Sequence, residues 1–164
     1  MAVVPTRGSA DEGDVSATTR ATSAVAGSAS DRGTNGCAGA RSVLLVDDTP
    51  VIRHLAQHVL EEAGYDAHSA ENGVAALGFL RAREVPIDVV VTDLAMPQMD
   101  GFTLIRELRK LSPQTRVVLM TGYVDAVELA ERSPERPDLV LPKPFRPPEL
   151  LDAVSTVLQT SRAQ

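Results

Sequence analysis

Five polar residues of types that handle phosphate and metal ions each stand at the end of an apolar run. Asp47 and Asp48 follow one such run, and Asp93, Thr121 and Lys143 each follow another. Three carboxylates close together repel and raise one another's pKa unless a cation joins them. Because hard oxygen ligands select Mg²⁺ or a similar ion, the aspartates are candidate ligands for such a cation.

The lysine and the threonine make the set suitable for phosphoryl transfer. Lys143 brings a compact positive charge for a phosphate or carboxylate oxygen, and Thr121 brings a hydroxyl. A carboxylate flanked by Mg²⁺, a lysine and a hydroxyl can act as a nucleophile toward phosphorus. Such transfer mostly needs positioning and charge neutralisation. The plainer alternative is that each aspartate caps the following helix and that Lys143 is a solvated charge.

Alternating strands and helices must position these residues. Apolar runs predict strands and helical spacing predicts helices. The predicted strands are 42–46, 65–69, 87–92, 116–120 and 138–141, and the predicted helices are 50–63, 73–80, 102–111, 124–131 and 147–158. The alternation implies an α/β fold with a doubly wound five-stranded parallel sheet, a flavodoxin-like three-layer sandwich for which 2-1-3-4-5 is the common strand order. Strands one and three are then neighbours, so the three aspartates should converge at one edge of the sheet.

The first 41 residues differ from the rest in composition. They are rich in Ala, Ser, Thr and Gly, and the first Leu, Ile, Phe or Tyr of the chain is Leu44. Such a segment cannot bury enough apolar area to offset its ordering entropy. The composition therefore predicts a flexible N-terminal tail over 1–41, a folded domain over 42–160 and a short C-terminal end over 161–164. A tail that folds on a partner is the alternative.

Composition excludes several classes of function. The net charge of −6 over 164 residues lacks the basic excess that nucleic-acid-binding domains normally show. The single cysteine, Cys37, permits no intrachain disulfide and fits a reducing cytosol. The sequence also lacks a signal-peptide pattern and an apolar stretch near the roughly 18–20 residues of a membrane span. We therefore expect a cytoplasmic protein that acts directly on neither nucleic acid nor membrane.

Over about residues 41–160 the motifs resemble the receiver domain of two-component response regulators. The motifs are Val46-Asp47-Asp48, Asp93 with Pro97 and Gly101 behind it, Met120-Thr121-Gly122, and Lys143-Pro144-Phe145. The resemblance implies that Asp93 accepts a phosphoryl group from a phosphohistidine on a histidine kinase or histidine phosphotransfer protein. It also implies signalling by contact with a downstream protein target, with no enzymatic activity beyond the chain's own phosphorylation and dephosphorylation.

The resemblance assigns a role to each matching residue. Asp47, Asp48, Asp93 and the backbone carbonyl of Ala95 would hold Mg²⁺. Thr121 and Lys143 would bind phosphoryl oxygens.

Four auxiliary positions follow from the same resemblance. The peptide bond before Pro144 is expected to be cis. Gly122 would either leave room beside the phosphoryl group or serve only as a turn residue. Tyr123 would either shield the site from water or pack on the surface. Val140 stands where the family often has Tyr or Phe, which weakens the expectation of a swinging aromatic ring coupled to the threonine.

Two other functions stay open at this point. A Mg²⁺-dependent phosphatase with an aspartyl nucleophile usually carries a second Asp two residues later, where this chain has Thr49 and Ala95. A pseudo-receiver would dock on partners without phosphorylation.

The end of the chain at Gln164 predicts a free-standing regulator or the receiver of a hybrid kinase. The expected kinase-docking residues, by resemblance, are Pro50, Arg53, Phe145 and Pro147.

Overall fold

A five-stranded parallel sheet forms the centre of the fold. In the computed structural model of the protein, which describes residues 39–84, 86–123, 128 and 134–160, the sheet order is β2-β1-β3-β4-β5. Its strands are β1 (Ser42–Val46), β2 (Asp66–Ala70), β3 (Val89–Asp93), β4 (Arg116–Thr121) and β5 (Leu139–Pro142). All four neighbouring pairs are parallel. The predicted doubly wound, flavodoxin-like topology is therefore confirmed.

Four helices cover the two faces of the sheet within the described ranges. They are α1 (Pro50–Glu62), α2 (Gly73–Ala82), α3 (Gly101–Leu111) and α4 (Pro147–Gln159). The side chains of Asn72 and Asp100 cap α2 and α3 by accepting backbone N–H groups. Helix α1 instead begins with proline, which is tolerated in the first turn because a backbone N–H there would have no partner within the helix. The helix predicted over 124–131 lies, except for residue 128, outside the described residues.

The apolar residues of the sheet alternate between two hydrophobic clusters. Val43 and Leu45 of β1 pack on the side of α1 and α4, whereas Leu44 and Val46 pack on the side of α2 and α3. All four side chains are fully buried, as is expected of a central parallel strand with helices on both faces. The helices cover both faces of the sheet but not the carboxyl ends of its strands. The polar residues lie at that edge.

The strand ends differ slightly from the predicted ones. Strands β3 and β4 extend to include Asp93 and Thr121, so both residues belong to the sheet ladder rather than to the loops. The predicted tail over 1–41 falls outside the described residues except for its last three positions, and 161–164 also falls outside them. Among the described helices, none is long and apolar enough to cross a membrane.

Candidate functional site

An acidic cluster lies at the carboxyl ends of β1 and β3. One carboxylate oxygen from each of Asp47, Asp48 and Asp93 lies within 4.8 Å of the others. The cluster forms because β1 and β3 are hydrogen-bonded neighbours, with Val46 opposite Thr92. Asp47 is fully buried and Asp48 is exposed, while the Asp93 side chain keeps 11% of its accessible area. The structure thus places the three aspartates together, with Asp93 still reachable from solvent.

Lys143 joins the acidic cluster from the loop after β5. Its Nζ lies 2.9 Å from Asp47 Oδ2 and 3.1 Å from Asp93 Oδ1. Its backbone N–H donates to the Thr121 carbonyl over 2.7 Å, which ties the loop to the end of β4. One ammonium group therefore faces two carboxylates, and the cluster keeps an excess of negative charge.

Burial and charge shift the pKa values of this pair. Burial raises the pKa of Asp93 above its ordinary 3.8, the nearby Asp47 adds to the rise, and the Lys143 ammonium and the Leu94 N–H only partly oppose it. Burial alone would lower the pKa of Lys143, but the Asp47 and Asp93 carboxylates outweigh it and hold that pKa above 10.5. The lysine is therefore a firmly charged cation beside a carboxylate that its surroundings make more basic.

Every polar atom of Asp47 has a hydrogen-bond partner. Its Oδ1 accepts the Thr49 N–H over 2.8 Å, and its Oδ2 accepts from Lys143. Its own N–H donates to the Ala70 carbonyl over 3.3 Å. Its carbonyl accepts from Arg53 Nη1 over 2.7 Å. The sequence analysis predicted Arg53 only as a docking residue. Its position near the start of α1, six residues after Asp47, was the only sequence feature that pointed to this contact.

The backbone around Asp93 is held tightly. The Leu94 N–H donates both to Asp93 Oδ1 and to the Met120 carbonyl, each over 2.9 Å. The Thr92 hydroxyl donates to the Asp93 carbonyl over 3.0 Å. A Cβ atom on Gly101 would lie 2.6 Å from that same carbonyl oxygen. Only glycine permits the start of α3 to approach β3 so closely.

Three of the predicted residues, Thr121, Gly122 and Tyr123, lie at the end of β4 or directly after it. Thr121 is buried, and its Oγ1 accepts the Tyr123 N–H over 3.1 Å. The Tyr123 residue is 65% exposed. A Cβ atom on Gly122 would meet nothing within 4 Å, so open space surrounds this position. The structure brings the threonine to the site through its backbone contact with Lys143.

The remaining predicted positions lie around the same edge. The Lys143–Pro144 peptide is cis, as the resemblance implies. Val140 is half-buried and packs against the cluster on the side of α2 and α3. Ala95 lies in the exposed loop after β3, two residues beyond Asp93.

An apolar groove borders the site between α1 and the loop leading into α4. It has a volume of about 400 Å³. Its lining residues are Ile52, Leu55, Ala56, Val59, Lys143, Pro144, Phe145, Pro147 and Leu150. Leu55 and the neighbouring Val51 are 59% and 75% exposed. Exposed apolar side chains beside a groove lined by apolar residues are typical of interaction surfaces.

Known proteins match this chain over the described domain. The chain is 36% identical over 121 residues to the sensor kinase CckA of Brucella abortus, covering 74% of this chain but only 13% of CckA. It is 33% identical over 119 residues to the chemotaxis protein CheY of Halobacterium salinarum, covering 73% of this chain and 98% of that protein. The matched region is thus a small part of the much longer CckA, whereas it makes up almost all of the Halobacterium CheY.

A solved structure and a family model match the same region. The response regulator TrrA of Thermotoga maritima, in complex with Mg²⁺–BeF, superposes with a TM-score of 0.63 at 33% identity, covering 72% of this chain and 99% of that one. The family model for the response regulator receiver domain matches residues 43–155. The chain therefore belongs to the response regulator receiver domain family.

Proposed function

We propose that this receiver domain is a switch operated by phosphorylation of Asp93. A carboxylate oxygen of Asp93 attacks the phosphorus of a phosphohistidine on a histidine kinase or histidine phosphotransfer protein. An O–P bond forms, the P–N bond breaks, and the imidazole nitrogen leaves with the electron pair. The observation that carries the proposal is the Lys143 ammonium 3.1 Å from Asp93 Oδ1, at the edge of the acidic cluster.

The surrounding residues receive the charge that the phosphoryl group brings. Lys143 already faces Asp93 and would pair with one phosphoryl oxygen. The Thr121 hydroxyl would donate to another. Gly122 would leave space beside the group, and Tyr123 would screen it from attacking water. Val140 supplies no aromatic ring for coupling to the threonine, so the switch would depend on Thr121 and Lys143.

Magnesium fits the donor set that the structure shows. Three carboxylates within 4.8 Å offer hard oxygen ligands, and a single lysine charge does not balance them. Asp47, Asp48, Asp93 and the Ala95 carbonyl would hold the ion. When bound, Mg²⁺ would neutralise charge on the phosphoryl oxygens. The TrrA structure with Mg²⁺–BeF supports this assignment by similarity.

The groove beside α1 is the proposed docking surface for the phosphoryl donor. It opens next to Lys143, so a partner seated there would reach the reacting carboxylate. The docking residues that the resemblance implies are Pro50 and Arg53, which lie on α1, and Phe145 and Pro147, which line the groove. We place the functional domain at 42–160 and the protein in the cytoplasm, with a downstream protein as the recipient of the signal.

The test is mass spectrometry after incubation with acetyl phosphate and Mg²⁺. The wild-type protein should gain one phosphoryl group, which localises to Asp93, and Asp93→Asn should gain none. Asp100→Asn is the matched control, because it changes an aspartate in the same loop and keeps a good helix cap. An unlabelled wild type would favour a pseudo-receiver, and repeated turnover of a small phosphoester would favour a phosphatase.

A further inference from the structure

Arg53 connects helix α1 to the acidic cluster. Its Nη1 donates over 2.7 Å to the backbone carbonyl of Asp47, at the point where β1 ends and the chain turns toward α1. Arg53 itself is half-buried, and its neighbour Ile52 lines the docking groove. Arg53 thus contacts the backbone of a proposed metal ligand from α1, the helix that also contributes residues to the docking groove.

The carbonyl that Arg53 binds belongs to a fixed part of the site. Asp47 is fully buried, and its carboxylate and N–H are held by Thr49, Lys143 and Ala70. The Asp47 carbonyl is also the carbonyl of the peptide that leads into Asp48. Rotation of that peptide would move the exposed Asp48 carboxylate away from the other two aspartates. A buried carbonyl without a partner costs free energy, so removal of the guanidinium favours such a rotation.

We propose that Arg53 is a positioning residue for the metal site: by holding the Asp47 carbonyl it keeps the Asp48 carboxylate aimed into the acidic cluster. This inference rests on the proposed function, because it concerns the affinity of the same cluster for Mg²⁺. It gives Arg53 a role distinct from contact with a docking partner. Outer hydrogen-bond partners of metal ligands typically contribute about 10–100-fold to metal affinity.

Two simpler explanations of Arg53 predict different results. If the guanidinium acted only through its charge, it would repel Mg²⁺, and its removal would tighten binding. If it only stabilised the fold, its removal would lower the unfolding midpoint and leave the Mg²⁺ dissociation constant unchanged. Positioning predicts weaker binding on removal of the guanidinium and partial recovery with lysine, whose ammonium can still donate to the carbonyl.

The experiment measures Mg²⁺ binding to the full chain by isothermal titration calorimetry, without any phosphoryl donor. The variants are Arg53→Met and Arg53→Lys. Arg106→Met is the matched control, because Arg106 lies on α3 with 52% of its side chain exposed. Amide chemical shifts of Asp47 and Asp48, recorded with and without Mg²⁺, report on the turn itself. Thermal unfolding without Mg²⁺ separates affinity from stability.

We expect Arg53→Met to weaken Mg²⁺ binding about tenfold or more, Arg53→Lys to weaken it less, and Arg106→Met to leave it within about twofold. The Asp48 amide shift should change in the Mg²⁺-free Arg53 variants. Unchanged or tighter binding in Arg53→Met would overturn the inference. Should that variant fail to fold, Arg53→Lys decides, and wild-type affinity with an unchanged Asp48 amide would overturn it. A wild-type protein that does not bind Mg²⁺ would overturn the metal proposal as well.

Discussion

Lys143 Nζ lies 3.1 Å from Asp93 Oδ1, so the loop after β5 places an ammonium group directly against the proposed nucleophile. The same ammonium lies 2.9 Å from the fully buried Asp47 carboxylate. The lysine therefore compensates charge in the unmodified protein and stands where a phosphoryl oxygen would need a cation. Its contacts make it both a structural and a chemical part of the site.

Replacement of Lys143 by methionine should destabilise the protein most when Mg²⁺ is absent. The change leaves Asp47 and Asp93 without their ammonium partner, and we expect a loss of about 2 kcal/mol. This is below the loss for a fully buried pair because 21% of the lysine side chain is exposed. Mg²⁺ should recover more stability in the variant than in the wild type. Urea unfolding with and without Mg²⁺ measures both effects.

The control for this change is Lys110→Met. Lys110 pairs with Glu107 on the surface of α3 and keeps 64% of its side chain exposed. Its loss should cost less than about 0.5 kcal/mol, with or without Mg²⁺. Equal losses for the two lysine variants would contradict a special role for the pair with Asp93.

Replacement of Gly101 by alanine should displace β3, the strand that carries the proposed phospho-acceptor. The added Cβ would lie 2.6 Å from the Asp93 carbonyl and 2.9 Å from Leu119 Cδ1, and the backbone contact cannot yield cheaply. We expect a loss of about 2–3 kcal/mol in the free energy of unfolding, together with weaker labelling by acetyl phosphate. Gly78→Ala is the control, because its Cβ would meet nothing within 4 Å in the middle of α2. That change should stabilise by roughly 0.5–1 kcal/mol.

Sequence patterns predicted the strands from local rules, and the order 2-1-3-4-5, which is the common one for a small doubly wound fold, then predicted the convergence of the acidic residues. Apolar runs mark strands, and the ends of adjacent parallel strands meet at one edge. The patterns could not show the contact between Arg53 and the Asp47 carbonyl, since a long side chain bonding to backbone leaves no periodic signal. Strands β3 and β4 each end one residue later than predicted, because pairing between the two strands, which a local pattern does not show, decides that Asp93 still belongs to β3.

Replacement of Gln98 by glycine should stabilise the loop after β3. Gln98 has a φ of 67°, which is the left-handed region where side chains other than glycine are strained. We expect a gain of about 0.5–1 kcal/mol, because the relief of this strain exceeds the entropy cost of glycine. Gln114→Gly is the control, since its backbone lies outside that region and the same substitution should give no gain. Differential scanning calorimetry measures the stability of both variants, and equal changes relative to the wild type would contradict the prediction.

The contribution of Asp88 to stability should depend on acid pH. Its partial burial would raise its pKa, but hydrogen bonds from Ser42 and Arg41 outweigh that effect and hold the pKa of Asp88 below its ordinary 3.8. A lowered folded-state pKa means that the contribution is complete above the unfolded value and is lost as the pH falls through the folded one. Asp88→Asn should therefore cost about 1 kcal/mol at neutral pH and progressively less below about pH 4.

Urea unfolding of Asp88→Asn across this pH range measures the difference from wild type. Asp152→Asn on the exposed surface of α4 is the matched control and should change stability by less than about 0.5 kcal/mol at neutral pH. A difference for Asp88→Asn that stayed constant from neutral pH down to pH 3 would contradict the prediction.

Replacement of Leu55 by aspartate should separate docking from chemistry. Leu55 is 59% exposed and lines the groove beside α1, so a charge there should disfavour an apolar partner surface without disturbing the core. We expect phosphoryl transfer from a histidine kinase of the same organism to fall at least tenfold, with labelling by acetyl phosphate unchanged. Val74→Asp is the control, because Val74 is 52% exposed on α2, on the opposite face of the sheet. A parallel loss in both variants would argue against the groove as the docking surface.

The loops that meet at the acidic cluster lead into different layers of the molecule. The chain after Asp93 continues into α3 on one side of the sheet, while Lys143 is followed by α4 on the other. A phosphoryl group added to Asp93, as proposed, would act on α3 along the chain and on α4 through the ion pair with Lys143. Neither effect would have to pass through the hydrophobic core. Partner proteins bound to the helices on opposite faces of the sheet would then respond to the same phosphorylation without competing for one surface.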